Sequence, residues 1–315
     1  MVLHEISPES PEQRAEHGNP HALDRIPRHK RAWEIVKRVA IGVYSDGFIH
    51  AGNLAYLALI SLFPFFIVIA ALAHFLGRAP DTEVAIASFL RTLPASVREL
   101  IRQPIDDVLA QRTGSLLWLG GLVGLWTTGS FIETIRDILR RAYGRGYSKP
   151  FWHYRLMSAA LIIGSVALML VAFSLQLVLI GVEQLVERLL PVSDEVLGWI
   201  GWSRLAPGIA LFVSLYLVFY SLTPSKYRWS NCPKWPGAAF TTLWWVATTM
   251  ALPRALVALG GYGRTYGSLA GVIVALFFFW LVGFGLVIGA HLNAALAESP
   301  RERVRSAVKS VSTEE

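Results

Sequence analysis

The chain has 315 residues, 54% of them hydrophobic and 16% charged, with a formal net charge of +7. So much apolar material excludes a disordered chain and fits a protein solvated largely by lipid. The single cysteine, Cys232, excludes an intrachain disulfide and a cysteine-based structural metal site.

Residues 1–27 are polar, with Pro8, Pro11, Pro20 and Pro27 among Ser, Glu and His, a composition too poor in apolar surface for a core. A disordered cytoplasmic tail is expected there. From 30 to 47, Trp33, Ile35, Val36, Val39, Ala40, Val43 and Tyr44 recur among Arg31, Glu34, Lys37 and Arg38. The pattern suits an amphipathic helix on a membrane face before the chain turns in at Asp46-Gly47, and equally a helix packed on the ends of a bundle. Six largely uncharged stretches follow, at about 51–77, 113–132, 156–182, 205–225, 235–259 and 265–297. A helix crossing a hydrocarbon core needs roughly 20 mostly apolar residues, and a soluble domain rarely repeats such a run. The expected fold class is therefore all-α: a polytopic membrane protein with six transmembrane helices and short amphipathic interfacial helices. The membrane domain would occupy 28–298, and 299–315 would form a second cytoplasmic tail.

The links between stretches alternate in charge. Arg28, Lys30, Arg31, Lys37 and Arg38 precede the first; Arg136, Arg140, Arg141, Arg145, Lys149 and Arg155 lie between the second and third; Lys226, Arg228 and Lys234 lie between the fourth and fifth; Arg301, Arg303, Arg305 and Lys309 follow the sixth. Links 78–112 and 183–204 mix both signs, and their apolar residues at spacings of three and four predict short interfacial helices. By the positive-inside rule both termini are expected in the cytoplasm. Anionic headgroups account for basic residues spread in this way, so no nucleic-acid partner is expected.

Within the stretches, Gly120 and Gly124, Gly267 and Gly271, and Gly285 and Gly289 are each four apart. That spacing lets helix backbones approach closely, as intramolecular seams or as a dimer face. The polar residues are few. Asn53 and Tyr56 are followed by Ser61 and Pro64, and Pro64 leaves the Ile60 carbonyl without its helical donor, which implies either a structural kink or a small polar pocket. Gln176 lies in the third stretch, and His291 and Asn293 lie near the end of the sixth; a buried amide must find a partner, so a cross-helix hydrogen bond competes with substrate contact. Glu133 and Arg136, three apart, are placed to pair locally. No charged residue lies in the centre of any stretch, which leaves a proton relay without a carrier. The chain has no Gly-x-x-x-x-Gly-Lys loop, no His-Glu-x-x-His and no convincing Ser-His-Asp set, so neither catalysis, cofactor nor metal is expected.

The segment Asn53-Leu-Ala-Tyr-Leu-Ala-Leu-Ile-Ser-Leu-Phe-Pro64 resembles a signature of the YihY/virulence factor BrkB family. Trp235-Pro-Gly-Ala-Ala239, Tyr266-Gly-Ser-Leu-Ala-Gly-Val-Ile273, Gly289-Ala-His-Leu-Asn-Ala294 and the run from Trp126 to Arg140 are similar to further motifs of that family, in the same order. His291 stands where many relatives carry an acidic residue. The resemblance spans about 35–297. It implies a multi-pass protein of the bacterial inner membrane, described variously as a virulence or serum-resistance factor and a transporter, and once misassigned as a ribonuclease. Two functions are expected to compete: a transporter or translocator of a lipid or amphipathic molecule, and a structural or assembly protein of the envelope. Membrane lipids are the expected partners. The substrate-pathway candidates are Asn53, Tyr56, Ser61, Pro64, Gln176, Tyr266, Gly267, Ser268, Gly271, His291 and Asn293.

Overall fold

The structure, a computed structural model, describes residues 7–16, 27–75, 98, 102, 114–146, 150–164, 206–228, 232–258 and 270–297, with side chains at all of these except 28, 46, 63–75, 114–121, 206, 207 and 258. Every regular element among them is helical: α1 (Pro11–Glu16), α2 (Arg28–Phe75), α3 (Gly114–Tyr143), α4 (151–164), α5 (Ala206–Leu222), α6 (Ser225–Arg228), α7 (Trp235–Ala258) and α8 (Ala270–Leu296).

The hub is α8. It packs against α2 on one side and α7 on the other, while α2 also carries α3 and α7 carries α5. Its apolar residues leave no polar face, as expected of a helix surrounded by neighbours. Val274, Ala275, Phe278, Val287, Ala290 and Ala294 are all buried. Two apolar clusters follow: one joins α8 to α2, α3 and α5 through Leu54, Leu139, Tyr143, Phe219 and Val287, and the other joins it to α2 and α7 through Ala55, Leu62, Leu252 and Phe278.

Small residues set the spacing of α7 and α8. A β-carbon added at Gly285 would lie 2.7 Å from Trp244 Cγ, and one at Gly289 would lie 2.8 Å from the Gly237 carbonyl oxygen. Thr241 and Trp244 use the same proximity to donate to the carbonyls of Gly285 (3.3 Å) and Leu281 (2.8 Å). On the other side, Gly47 sits where a β-carbon would meet Val287 at 3.2 Å. The helix α2 therefore runs unbroken through Asp46-Gly47, where the sequence predicts a turn, because close packing on α8 replaces the conformational freedom that a turn would use.

The expectation of six transmembrane helices is corrected. Among the described residues, one helix, Ala270–Leu296, is long and apolar enough to cross a membrane. Among the residues described with side chains, the apolar runs of α2 and α5 are Gly47–Leu62 and Gly208–Leu222, both shorter than a hydrocarbon core requires. In α3, Glu133, Arg136, Asp137, Arg140 and Arg141 occupy the C-terminal half, and α7 is diluted by four threonines and Pro253. The stretches at 156–182 and 265–297 fall partly outside the described residues, link 78–112 does so except for 98 and 102, and link 183–204 lies wholly outside them. The multi-pass inner-membrane topology with both termini cytoplasmic is corrected on the same ground, since one candidate span cannot carry six crossings. The charge alternation behind it has another physical use: many of those cations are tied into the fold, as described next.

Candidate functional site

The C-terminal end of α3 positions most of the charged machinery. Gly144 ends the helix at φ 74°, with its N–H donating to the Arg141 carbonyl (3.1 Å) and the Arg145 N–H to the Arg140 carbonyl (2.8 Å). This is the Schellman closure, in which a left-handed glycine satisfies the last carbonyls of a helix. It fixes Arg140 on one side of the turn and Arg145 on the other.

Arg136 and Arg140, one turn apart, are buried, with 7% and 6% of their surfaces exposed. Both guanidinium groups lie over the ring of Tyr154 on α4, at 5.6 and 4.4 Å from its centroid, a geometry that favours a cation partly removed from water. Arg136 also donates to the Tyr154 carbonyl at 3.3 Å, and Arg140 to the Tyr154 hydroxyl. Glu133 accepts from Arg155 (3.2 Å) across to α4, rather than serving only its own helix, and Arg155 covers the Trp126 ring at 4.0 Å. Asp137 holds Arg141 at 2.8 Å.

The N-terminal segment completes this end of the molecule. Ser10 caps α1, its hydroxyl accepting from the Gln13 N–H at 3.4 Å with Pro11 at the first helical position. Ser7 donates its N–H to the Arg141 carbonyl (3.2 Å), and Arg14 reaches the Ala297 carbonyl (2.8 Å) at the end of α8. One oxygen of Glu12 accepts from Lys226 (2.8 Å) and from the Tyr227 hydroxyl (2.6 Å), and lies 3.4 Å from Arg145. Burial alone would raise the Glu12 carboxyl; the hydrogen bonds from Lys226 and Tyr227 and the charges of Arg145 and Lys226 outweigh it and hold the group below its ordinary value. The Tyr227 phenol is pushed well up by burial and then by its bond to that carboxylate.

Concavities lie between these helices. Between α3, α4 and the α5–α6 turn lies a cavity of 670 Å³ lined by Arg136, Arg140, Arg145, Lys226, Arg228, His153 and Tyr154, with Thr223, Ser225, Met157 and Leu222. Between α2, α7 and α8 lies a groove of 530 Å³ that is almost wholly apolar, walled by Val36, Val39, Ala40, Tyr44, Phe48, Phe240, Ile288 and Leu292 among others.

The residues singled out from sequence are dispersed. Asn53 is exposed on α2 and donates to Thr134 of α3 at 3.4 Å; Tyr56 is exposed; Ser61 bonds back to the Ala58 carbonyl at 3.0 Å. The backbone remains helical across Pro64. Gly271 lies in the first turn of α8. His291 is buried against α2, where a β-carbon at Gly42 would meet its ring at 2.9 Å. Asn293 is buried and caps α7 from outside: its Oδ1 accepts the Gly237 N–H (2.8 Å), an amide with no partner inside its own helix, and its Nδ2 donates to the Lys234 carbonyl (3.1 Å). Gln176, Tyr266, Gly267 and Ser268 lie outside the described residues. Sequence reasoning missed Glu12 and the joining of Arg136 and Arg140 by Tyr154. The first had a readable signal in Ser10-Pro11-Glu12-Gln13, a helix start with capping residues at both ends.

Among the described residues no group of three or more His, Cys, Asp or Glu is placed to hold a metal ion. Residues 45–312 match the family described as virulence factor BrkB. The chain is 29% identical over 253 residues to the ribonuclease-like protein YfkH of Bacillus subtilis (strain 168), covering 80% of this chain and 90% of that protein. It is 25% identical over 264 residues to a UPF0761 membrane protein of Aeromonas salmonicida (strain A449), covering 79% and 83%. No solved structure matches the chain.

Proposed function

The chain belongs to the virulence factor BrkB family, and from that premise we propose that it acts at a membrane, binding and moving a lipid or other amphipathic molecule. The observation that carries the reading is the apolar groove beside α8, the one helix among the described residues long and apolar enough to span a bilayer. Its wall residues Val36, Tyr44 and Phe48 are themselves exposed, so an acyl chain entering it exchanges lipid contacts for side-chain contacts at little cost in either direction. Such near balance suits movement better than storage. The membrane wording in the Aeromonas relative's name supports the setting.

A second reading has its own observation. Asn293, Thr241, Trp244 and Asn53 all spend their polar groups on neighbouring helices, as a scaffold for envelope assembly would require. The test is reconstitution into vesicles carrying a fluorescent phospholipid analogue or a trapped small solute. Ala40→Trp fills the exposed groove wall without entering the core. Flux through wild-type vesicles that falls in Ala40→Trp supports movement along the groove; folded wild-type protein with no flux favours the scaffold.

A further inference from the structure

We propose that the basic cavity between α3, α4 and the α5–α6 turn is a binding site for a phosphate group. Five cationic side chains, Arg136, Arg140, Arg145, Lys226 and Arg228, line it, and among the described residues no carboxylate does. Placing like charges on one cavity wall is costly unless an anion is meant to lie between them, because in a partly desolvated space their repulsion is poorly screened. Of the carboxylates nearby, Glu133 accepts from Arg155, Asp137 from Arg141, and Glu12 meets Lys226 and Arg145 at one rim. The buried Nε–H groups of Arg145 and Arg228 meet no acceptor among the described residues, so donors as well as charge remain available.

The site is built rather than improvised. Arg136 and Arg140 are held by the Tyr154 ring and the Arg145 guanidinium by Glu12 at 3.4 Å, so these groups are ordered before an anion arrives and lose little freedom on binding. Thr223 and Ser225 add hydroxyls to the lining. At 670 Å³ the cavity exceeds what a bare phosphate fills and lies in the range of small-molecule sites. The same helix, α4, carries Phe151, Trp152 and Leu156 outside the cavity, exposing 54%, 67% and 71% of their surfaces. A phosphate held by the arginines with acyl chains along that apolar face would satisfy both surfaces together. The same phosphate chemistry also admits a free phosphate, and the two sources are separable by experiment.

The inference does not rest on lipid movement, because binding is read in detergent without flux. Gly146 lines the cavity, is exposed, and has nothing within 4 Å of an added β-carbon. Gly146→Asp therefore introduces a competing carboxylate without disturbing packing, and Gly146→Asn is its uncharged counterpart. The full chain, purified in non-ionic detergent, is titrated with dioctanoyl phosphatidic acid, dioctanoylglycerol and inorganic phosphate, with binding read by calorimetry or native mass spectrometry. The expected result is saturable binding of phosphatidic acid and none of dioctanoylglycerol. Gly146→Asp should weaken it about tenfold or more and Gly146→Asn much less, from one added charge at short range in a partly screened site. Phosphatidic acid binding more tightly than inorganic phosphate assigns the site to a lipid headgroup, and equal binding assigns it to free phosphate; both support the phosphate site. Failure of both to bind, equal binding of dioctanoylglycerol, or equal effects of Asp and Asn at 146 would overturn it.

Discussion

Replacing Gly237 with alanine tests the seam on which α7 and α8 depend. A β-carbon there would stand 2.5 Å from Asn293 Nδ2 and 2.7 Å from Asn293 Cγ, and closer still to the backbone oxygen of Gly289. Ordinary contact begins at 3.4 Å, so the helices must part by close to 1 Å, and a backbone oxygen cannot swing aside as a side chain can. The same displacement stretches the Gly237 N–H···Oδ1 Asn293 bond, now 2.8 Å, beyond hydrogen-bond reach. Overpacking costs about 1–3 kcal/mol and an orphaned buried amide about 1–3 kcal/mol, so the total expected is about 2–6 kcal/mol. Gly52→Ala is the internal control: Gly52 lies in α2 with nothing within 4 Å of the added carbon, and removal of a helical glycine there stabilises by about 0.5–1 kcal/mol. Thermal unfolding in detergent, followed by a fluorescent-protein fusion on size exclusion, compares the two. A Gly237→Ala protein as stable as wild type would refute the close approach of α7 and α8.

Asn293→Leu removes both partners from the start of α7 and is expected to cost about 2 kcal/mol or more, whereas Asn53→Ala, which gives up one long exposed bond, should change the midpoint by less than about 0.5 kcal/mol; the same thermal assay separates them. The lowered Glu12 value has a defined sign: docking of α1 gains stability that is present above the ordinary 4.5 and is lost as pH falls through the folded-state value below it. A spin label at Glu16→Cys in a Cys232→Ala background should therefore mobilise below that range, and Glu12→Gln should mobilise it at neutral pH; a label equally immobile in both would remove Glu12 as the anchor. Tyr154→Leu withdraws the ring beneath Arg136 and Arg140 while leaving their charge, and should loosen the α3–α4 contact, read as faster amide exchange over 151–164 with α7 and α8 unchanged.

Local signals in the sequence transferred to the fold where the physics was local. Gly285 and Gly289, four apart, are where α8 accepts α7, because a missing β-carbon is visible in sequence and has the same steric meaning in any packing. Asn293 was legible as an amide that must be satisfied, but its partner was not: the Gly237 N–H is 56 residues away and needs a partner only because it starts a helix. The span count failed for a related reason. Hydropathy averages residues over windows, whereas α2 joins an apolar stretch to a basic amphipathic segment in one 48-residue helix and α3 ends in a charged half that packs inward.

The basic residues show most directly where one-dimensional reading stops. Counted by link, Arg136, Arg140, Arg145, Lys226 and Arg228 look like two separate groups flanking different stretches, and a positional rule turns them into a statement about sides of a membrane. Folded, they face one cavity, because Tyr154 gathers two of them, Gly144 turns the third, and the short α6 delivers the last two. Glu12 adds the countercharge at the rim from 214 residues away, from a short helix whose start was readable in Ser10-Pro11-Glu12-Gln13 but whose partner was not. Charge in a membrane-associated chain thus has two readings, an address and a site, and burial distinguishes them: an arginine serving as an address has no reason to be 94% removed from solvent, whereas one built to meet an anion does.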